Sequence, residues 1–552
     1  MTKIARHDTG SVEDWQISYD SIAASLNSLL ENLPQMPLAV GQLITLSWQR
    51  AALASLRATA AQDEICESLR LGAASAAATF LAAQWDNGQV EATLGGRELT
   101  FAATGATSLA SPDAWLMGFS LALVVHDQAA LELLCDEAAI EASERSSTQV
   151  DAFWAPLQRG LAALWLQDTE AWQHFATETE RLLQPEAISI ASTEYLQALI
   201  WPLFKATQAL ASGDQTAWQR ALEAALVAHH GYFERGDHRY DKGGFLAFYL
   251  LGLAALAKDR GLQSDIESEY LPDALLKGTC NVTEAVAPEF HFDQPRSVAE
   301  AHLLMEVRSC VPNLVDHQLV EIGGELISLY ECPASDEHPL RRFAFKLPTQ
   351  EPDSSRQIGG DQPSTLIDAG EFLWLADQEA QQVPASTQGL SPEALQQRNP
   401  DLQKALACLD EVLKFIPANS EEVPNSAFWT AFGRQLREEE LGRFSRARLE
   451  AIRQAWQTLL VEPAATPELD ARSRTLLALE AIKTQVRPML ELLPSLSPAE
   501  LAQQLYPRPD DYGKVFDQID LAWLSNQYAV MMNRISSTVP TRTHSTTREV
   551  AT

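Results

Sequence analysis

The apolar run Phe245–Ala257 constrains the fold more than any other feature, because it contains no charged side chain. A helix that is apolar on every face has to be buried by its neighbours. The run is also shorter than the roughly 20 residues that a membrane-spanning helix needs. Asp241 before the run suits a helix start, and Gly261 after it suits a helix end. The sequence therefore predicts a central helix inside an all-helical core.

Short motifs on both sides of this run carry a family resemblance. They are the His-and-Tyr group His229, His230 and Tyr232, the helix Leu250–Ala257, the stop Asp259-Arg260-Gly261 and the turn Tyr270-Leu271-Pro272. On these motifs, residues 20–280 resemble the Imm49 family, immunity proteins of bacterial polymorphic-toxin systems. The resemblance implies an all-helical fold and a cognate toxin as partner, and it does not extend beyond Cys280.

The net charge narrows the class of partner. It is −33 at pH 7, and the acidic residues are spread over both halves of the chain. Such a surface repels nucleic acid and anionic lipid, whereas it speeds encounter with a basic protein. Solubility alone also favours acidity. Residues 1–16 lack the apolar segment of a signal peptide, so we expect a cytoplasmic protein with no membrane or nucleic-acid partner.

Residues 1–285 are predicted to form an all-helical domain with one small β-hairpin at Gly95-Gly96. A weak repeat begins at Asp127, Asp168 and Asp214, at spacings of about 41 and about 46 residues, the length of a helical-hairpin repeat. Each Asp is expected to cap a helix start, and the apolar pair three and four residues later to face inward. Stacked hairpins of this kind form tetratricopeptide-like solenoids, which bind proteins.

The pattern changes after residue 285, although the chain remains mainly α in our prediction. Gly323-Gly324 is expected to turn a second β-hairpin, and Phe372–Ala376 is predicted to be a strand. The predicted order is a small α+β region over 286–377, a linker over 378–400, a helical domain over 401–535 and a disordered tail over 536–552.

The histidines and acidic residues of 229–241 are the best candidates for a metal site or an acid–base site. Donor types that suit zinc occur there, but the spacing does not match H-E-x-x-H or a facial triad. The favoured interpretation is a polar loop that closes the core, with a partner-contact loop as the alternative. We therefore predict no catalytic residue, no cofactor and no metal in a chain that is not an enzyme.

Cysteines and the second half leave weaker possibilities. The six cysteines lie far apart without a C-x-x-C pair, which argues against a zinc site and against a disulfide-stapled fold. Cys66, Cys135 and Cys408 are expected on apolar helical faces as structural residues. An enzyme site in the second half remains an alternative, and its residues would be His291, Asp293, His302 and Glu306.

The function predicted from these observations is that of a cytoplasmic immunity protein. It would bind a cognate toxin and neutralise it by direct protein contact. We expect the toxin to be basic and, by extrapolation, a nuclease. The alternative is a helical-repeat adaptor or chaperone for a secreted effector. The predicted partner-binding residues are Tyr232, Phe233, Glu234, Asp237, Arg239, Tyr240 and Asp241, with Glu438, Glu439 and Glu440 as a second group.

Overall fold

The computed structural model describes residues 2–10, 12–57, 62–283, 286–308, 310, 315–322, 324–334, 340–347, 358–383 and 392–460. The described residues belong to one compact unit, Met1–Leu460. The helices predicted beyond residue 460 and the tail 536–552 therefore lie outside the described residues. Within these residues the fold is mainly helical, as predicted.

Most described residues of the first half belong to α-helices. They are α1 (Val12–Asn32), α2 (Ala39–Ala54), α3 (Gln62–Ala82), α4 (Pro112–Val125), α5 (Gln128–Leu134), α6 (Glu137–Glu144), α7 (Trp154–Leu166), α8 (Thr169–Leu182), α9 (Thr193–Tyr195), α10 (Trp201–Ser212), α11 (Gln215–Phe233), α12 (Phe248–Asp259) and α13 (Asp273–Leu276). None of the helices in the described ranges has the length and apolar character that a membrane crossing needs.

Two small sheets accompany these helices. Their strands are β1 (Thr2–Ile4), β2 (Gln89–Leu94), β3 (Arg97–Ala102), β4 (Ile266–Ser268) and β5 (Glu289–His291). β1 pairs in parallel with β4, and β2 pairs antiparallel with both β3 and β5. Gly95 and Gly96 have φ of 58° and 75°, as a type I′ hairpin turn requires. The predicted first hairpin is thus confirmed.

The aspartates of the repeat do cap helices. Asp127 accepts a hydrogen bond from the Ala130 N–H at 3.0 Å, and Asp168 accepts one from the Ala171 N–H at 3.0 Å. Asp214 accepts from Ala217 N–H at 3.0 Å. The helix before each aspartate ends in a left-handed residue, namely His126, Gln167 or Gly213. Each repeat boundary therefore has the same backbone geometry, and the predicted cap role is confirmed.

The apolar run is buried at the centre of the first half. Phe245 and Leu251 are fully buried, and α12 packs on α4. Gly252 allows this close packing, because a Cβ at this position would lie 2.9 Å from Ser120 Cα and 3.0 Å from Ser120 O. The predicted central helix is confirmed, although it begins at Phe248, later than the Asp241 cap indicated. Asp241 caps a short 3-10 turn instead.

The second half forms its own hydrophobic cluster around Phe343, Phe345 and Phe372. Its elements are α14 (Val298–Val307), β6 (Asp316–Ile322), β7 (Glu325–Cys332), β8 (Arg341–Phe345), α15 (Ala369–Gln382), α16 (Pro392–Lys414), α17 (Ala431–Glu439) and α18 (Arg446–Leu459). The strands form an antiparallel sheet in the order β6-β7-β8.

Two expectations for the second half are wrong in their secondary structure. The predicted strand Phe372–Ala376 lies inside helix α15, which begins with a reciprocal capping box. Asp368 accepts from the Glu371 N–H at 2.9 Å, while Glu371 accepts from the Asp368 N–H at 3.1 Å. The expected linker 378–400 is helical at both ends, since α15 and α16 extend into it.

A polar clamp joins the hairpin of the first half to the sheet of the second. Asn87 donates through Nδ2 to Ala344 O at 2.9 Å and accepts through Oδ1 from the Ala344 N–H at 2.8 Å. Asp293 accepts from Asn87 Nδ2 and from the Gly88 N–H, each at 3.0 Å. The Asn87 side chain satisfies both the backbone N–H and the backbone C=O of Ala344 in β8. It therefore continues the hydrogen-bond pattern of the sheet toward the first half.

Four of the six cysteines form two disulfides that the sequence spacing did not predict. Cys66 and Cys280 form a disulfide with Cα atoms 4.8 Å apart, and Cys310 and Cys332 form another with Cα atoms 6.1 Å apart. Cys135 and Cys408 are buried free thiols. Sequence spacing gave no sign of the pairs because folding, not proximity in the chain, brings Cys66 to Cys280. The argument against disulfides was therefore wrong, and Cys66 is not a free side chain.

We expect Gly252→Ala to destabilise the protein by about 1–3 kcal/mol, the usual range for an overpacked core. The added methyl group would meet Ser120 backbone atoms, which cannot move aside as a side chain could. The matched control is Gly231→Ala in α11, where no atom lies within 4 Å of the new Cβ. That change should stabilise the helix by about 0.5–1 kcal/mol. Urea unfolding measures both, and equal effects would contradict the packing account.

Candidate functional site

The predicted contact residues lie at the end of α11 and in the segment that follows. Tyr232 and Phe233 belong to the last turn of α11, so the His-and-Tyr group is helical and not a loop. Gly231 does not end the helix because one internal glycine costs only about 1 kcal/mol. Residues Gly236–Tyr240 form a 3-10 turn, which Asp241 follows.

These residues differ in their exposure to solvent. Glu234, Asp237, Tyr240 and Asp241 are exposed, whereas Phe233 is buried in the core. Phe233 therefore contacts His229 and not a partner, and its assignment to a contact surface is not supported by its position. Tyr232 and Arg239 are half-buried; the Tyr232 ring stacks on His238 with centroids 4.4 Å apart. Four of the seven residues are thus exposed, and they lie in a stretch of three carboxylates and two arginines that we call the 234–241 segment.

Hydrogen bonds from the motif residues His230 and Tyr270 hold the N-terminal residues in place. His230 Nδ1 lies 3.1 Å from Ala5 O, and a carbonyl only accepts, so this nitrogen carries the hydrogen. His7 Nε2 likewise donates to Arg239 O at 3.3 Å. His7 Nδ1 is therefore the acceptor for the Tyr270 hydroxyl at 2.9 Å. These contacts select one tautomer for the His7 ring, with the hydrogen on Nε2.

His229 lies beneath this network and is neutral. Its Nε2 donates to Gly244 O at 3.1 Å, and Tyr270 packs against the ring edge-on. Burial lowers the pKa of His229 to about 3, and burial also lowers the pKa of His7. The residues that carried the family resemblance thus stabilise the turn before α12 and bind the N-terminal segment.

A pocket of about 410 Å³ opens beside the 234–241 segment. Side chains from α2, α4, α7, α9, α11 and α12 line it, together with Asp241. Its aromatic lining includes Trp48, Trp154, Tyr195, Tyr232, Phe248 and Tyr249. This volume is within the range of about 300–1,000 Å³ that is typical of small-molecule sites.

A carboxyl–hydroxyl pair lies in the wall of this pocket. The Tyr249 hydroxyl donates to Asp113 Oδ1 at 2.8 Å. Asp113 lines the pocket and is exposed to solvent. Burial raises the pKa of Asp113, and burial together with the nearby Asp113 charge raises the pKa of Tyr249 and of Tyr195. The pair is the strongest polar feature that reaches into the cavity.

Sequence reasoning missed most of the pocket. Trp48, Asp113, Trp154 and Tyr195 are far apart in the chain and meet only in the fold. Tyr249 did carry a signal, since its hydroxyl is the only one in the apolar run Phe245–Ala257. A buried tyrosine hydroxyl usually finds a hydrogen-bond partner, so a polar partner for Tyr249 was predictable although its identity was not.

The second group of predicted contact residues, Glu438, Glu439 and Glu440, lies at the C-terminal end of α17. Glu438 and Glu439 are exposed, and Glu439 accepts from Gln435 at 2.9 Å. Glu440 is half-buried and pairs with Arg443 at 2.7 Å. Arg443 also pairs with Asp377. The ion pairs show that this local charge is partly neutralised within the fold.

The four residues of the alternative enzyme site do not converge on one another. His291 pairs with Glu91 at 3.2 Å, Asp293 belongs to the polar clamp, and Glu306 pairs with Lys404 at 2.8 Å. The His302 ring packs against Tyr330. In the described ranges no cluster of three or more His, Cys, Asp or Glu side chains is placed to hold a metal ion.

The described residues form a mainly helical protein, and part of its first half is similar to a known family. Residues 56–275 match the family described as immunity protein 49, Imm49, so this segment of the N-terminal half is an Imm49 segment. The matched range contains the 234–241 segment and most of the pocket lining. No curated protein and no solved structure matches the chain.

We expect the buried neutral His229 to make the protein sensitive to acid. Its pKa is lowered from 6.5 to about 3, so the unfolded chain gains a proton below pH 6.5 that the folded chain does not bind. This one residue should reduce the free energy of unfolding by about 2 kcal/mol between pH 7 and pH 5. Urea unfolding of His229→Gln should show a correspondingly smaller loss.

The exposed His174 on α8 supplies the control for this measurement. His174→Gln should leave the pH dependence of the wild type unchanged. A His229→Gln variant with the same loss of stability as the wild type between the two pH values would contradict a buried, neutral His229.

Proposed function

We propose that this chain is an immunity protein that binds a bacterial toxin and neutralises it by direct contact. The single observation that carries the proposal is the Imm49 match over residues 56–275. In this proposal the chain itself catalyses no reaction, and the partner is a protein and neither a nucleic acid nor a membrane.

The 234–241 segment is the contact surface that we propose. It lies inside the matched range, and Glu234, Asp237 and Asp241 present carboxylates beside the 56% exposed ring of Tyr240. Tyrosine is a frequent anchor residue in interfaces. The backbone under this surface is held by the hydrogen bond from His7 to Arg239 O. A surface that is rigid before binding loses less conformational entropy when the partner docks.

The charge of the chain supports a basic toxin. A nuclease must carry a basic groove to hold phosphates, and a chain with a net charge of −33 is attracted to such a groove. We therefore extend the proposal to a nuclease target, whose groove the acidic segment would occupy. Electrostatic attraction would also raise the association rate.

The toxin encoded beside the gene for this chain provides the test. The double variant Glu234→Lys with Asp237→Lys reverses two exposed charges, and we expect it to bind this toxin at least about tenfold more weakly. The matched control, Glu98→Lys with Glu132→Lys, makes the same charge change at exposed residues outside the segment and the pocket. It should retain most of the affinity.

Titration calorimetry and survival of toxin-producing cells give separate readouts. Wild type that neither binds nor protects would refute the immunity function. Binding without protection would instead indicate the adaptor or chaperone. Equal losses in the two double variants would leave the immunity function intact and refute the 234–241 segment as its surface.

A cytoplasmic location follows if the toxin acts on nucleic acid inside the cell, and this too is our proposal. Reducing conditions in the cytoplasm keep most protein thiols free. We expect thiol trapping in intact cells to find Cys66 and Cys280 reduced, while the purified, air-oxidised protein carries their disulfide. A disulfide that is present in cells at the time of trapping would contradict a cytoplasmic location.

A further inference from the structure

The pocket beside the 234–241 segment has a lining that selects for charge. Two carboxylates line it, Asp113 and Asp241, and none of the described lining residues is a lysine or an arginine. The imidazole of His229 also lines the pocket, but its Nε2 donates to Gly244 O and its ring is buried. The cavity therefore offers negative charge without a basic side chain to neutralise it.

Both carboxylates are held in position by one of their two oxygens. Asp113 Oδ1 accepts from the Tyr249 hydroxyl at 2.8 Å, and Asp241 Oδ1 accepts from the Gly243 N–H at 2.8 Å. No described residue donates a hydrogen bond to Asp113 Oδ2. A donor that enters the pocket would meet an oriented carboxylate whose position does not have to be fixed during binding.

Aromatic rings form much of the remaining wall. Trp48 and Trp154 come from α2 and α7, and Tyr195 comes from α9. Trp48 is fixed edge-on against Phe248, with centroids 5.8 Å apart. The faces of such rings attract cations, most strongly where water is partly excluded. The apolar side chains of Met117 and Leu203 complete the lining.

We propose that this pocket binds a small organic cation, an amine with an apolar body. Its ammonium group would donate to Asp113 and lie against the aromatic rings, while its body would contact Met117 and Leu203. Anions are disfavoured by the two carboxylates, and a neutral ligand would form no ion pair with Asp113. The cavity of about 410 Å³ has room for a complete small molecule. The proposal does not depend on the toxin.

Three probes of similar shape test the charge preference on the wild-type full chain. They are phenethylammonium, phenethyl alcohol and phenylacetate, and titration calorimetry measures their affinities. We expect the ammonium to bind at least about tenfold more tightly than the alcohol, and the carboxylate to show no binding. The pocket tryptophans Trp48 and Trp154 should report the same event through their fluorescence.

A pair of variants locates the bound cation. Asp113→Asn retains an oxygen that can accept from Tyr249 but removes the charge, so the affinity for phenethylammonium should fall at least about tenfold. Glu132→Gln removes an exposed carboxylate outside the pocket and should leave the affinity unchanged. Thermal unfolding confirms that each variant is folded. If Asp113→Asn does not fold, the three-probe comparison on the wild type decides the question.

Several results would overturn the proposal. They are absence of phenethylammonium binding at millimolar concentration, equal or tighter binding of the alcohol or the carboxylate, and wild-type affinity in a folded Asp113→Asn variant. Loss of toxin binding in Asp113→Asn, with no binding of any free amine to the wild type, would also overturn it. That outcome would show that the pocket receives a basic side chain of the partner, and it would leave the immunity function standing.

Discussion

The burial of α12 against α4 is the interaction on which the rest of the first half depends. Because α12 is apolar on every face, helices have to surround it, and Gly252 lets α4 approach to backbone distance. The same helix supplies Tyr249 to the wall of the pocket. Core packing and the pocket are therefore properties of one helix, and the cavity lies where the helices around its N-terminal end do not close completely.

The histidines and tyrosine of the family motif act as structural residues. His229 and His230 donate to backbone carbonyls, and Tyr270 joins His7 to the same network. Residues that bind backbone in this way are not free to bind a metal or a substrate. What they determine is the position of the 234–241 segment. In this fold, the His and Tyr residues that carry the Imm49 resemblance support the exposed surface.

Local signals made much of the helical fold predictable, while the pocket required tertiary structure. The aspartate caps at the repeat boundaries act within one helical turn, so sequence spacing was enough to identify them. Phe372 and Trp374 favour a strand by local propensity, but the Asp368–Glu371 capping box, which is visible in the sequence, starts a helix there. Asp113 and Tyr249 meet only after α4 and α12 have packed, and no local pattern records that contact.

The parallel pairing of β1 with β4 has a consequence for how the chain is made. Thr2–Ile4 are synthesised long before their partners Ile266–Ser268, which leave the ribosome only after most of the first half. Contacts between such distant residues slow folding. A nascent chain that still lacks β4 therefore leaves β1 without its partner strand, and unpaired strand edges favour aggregation.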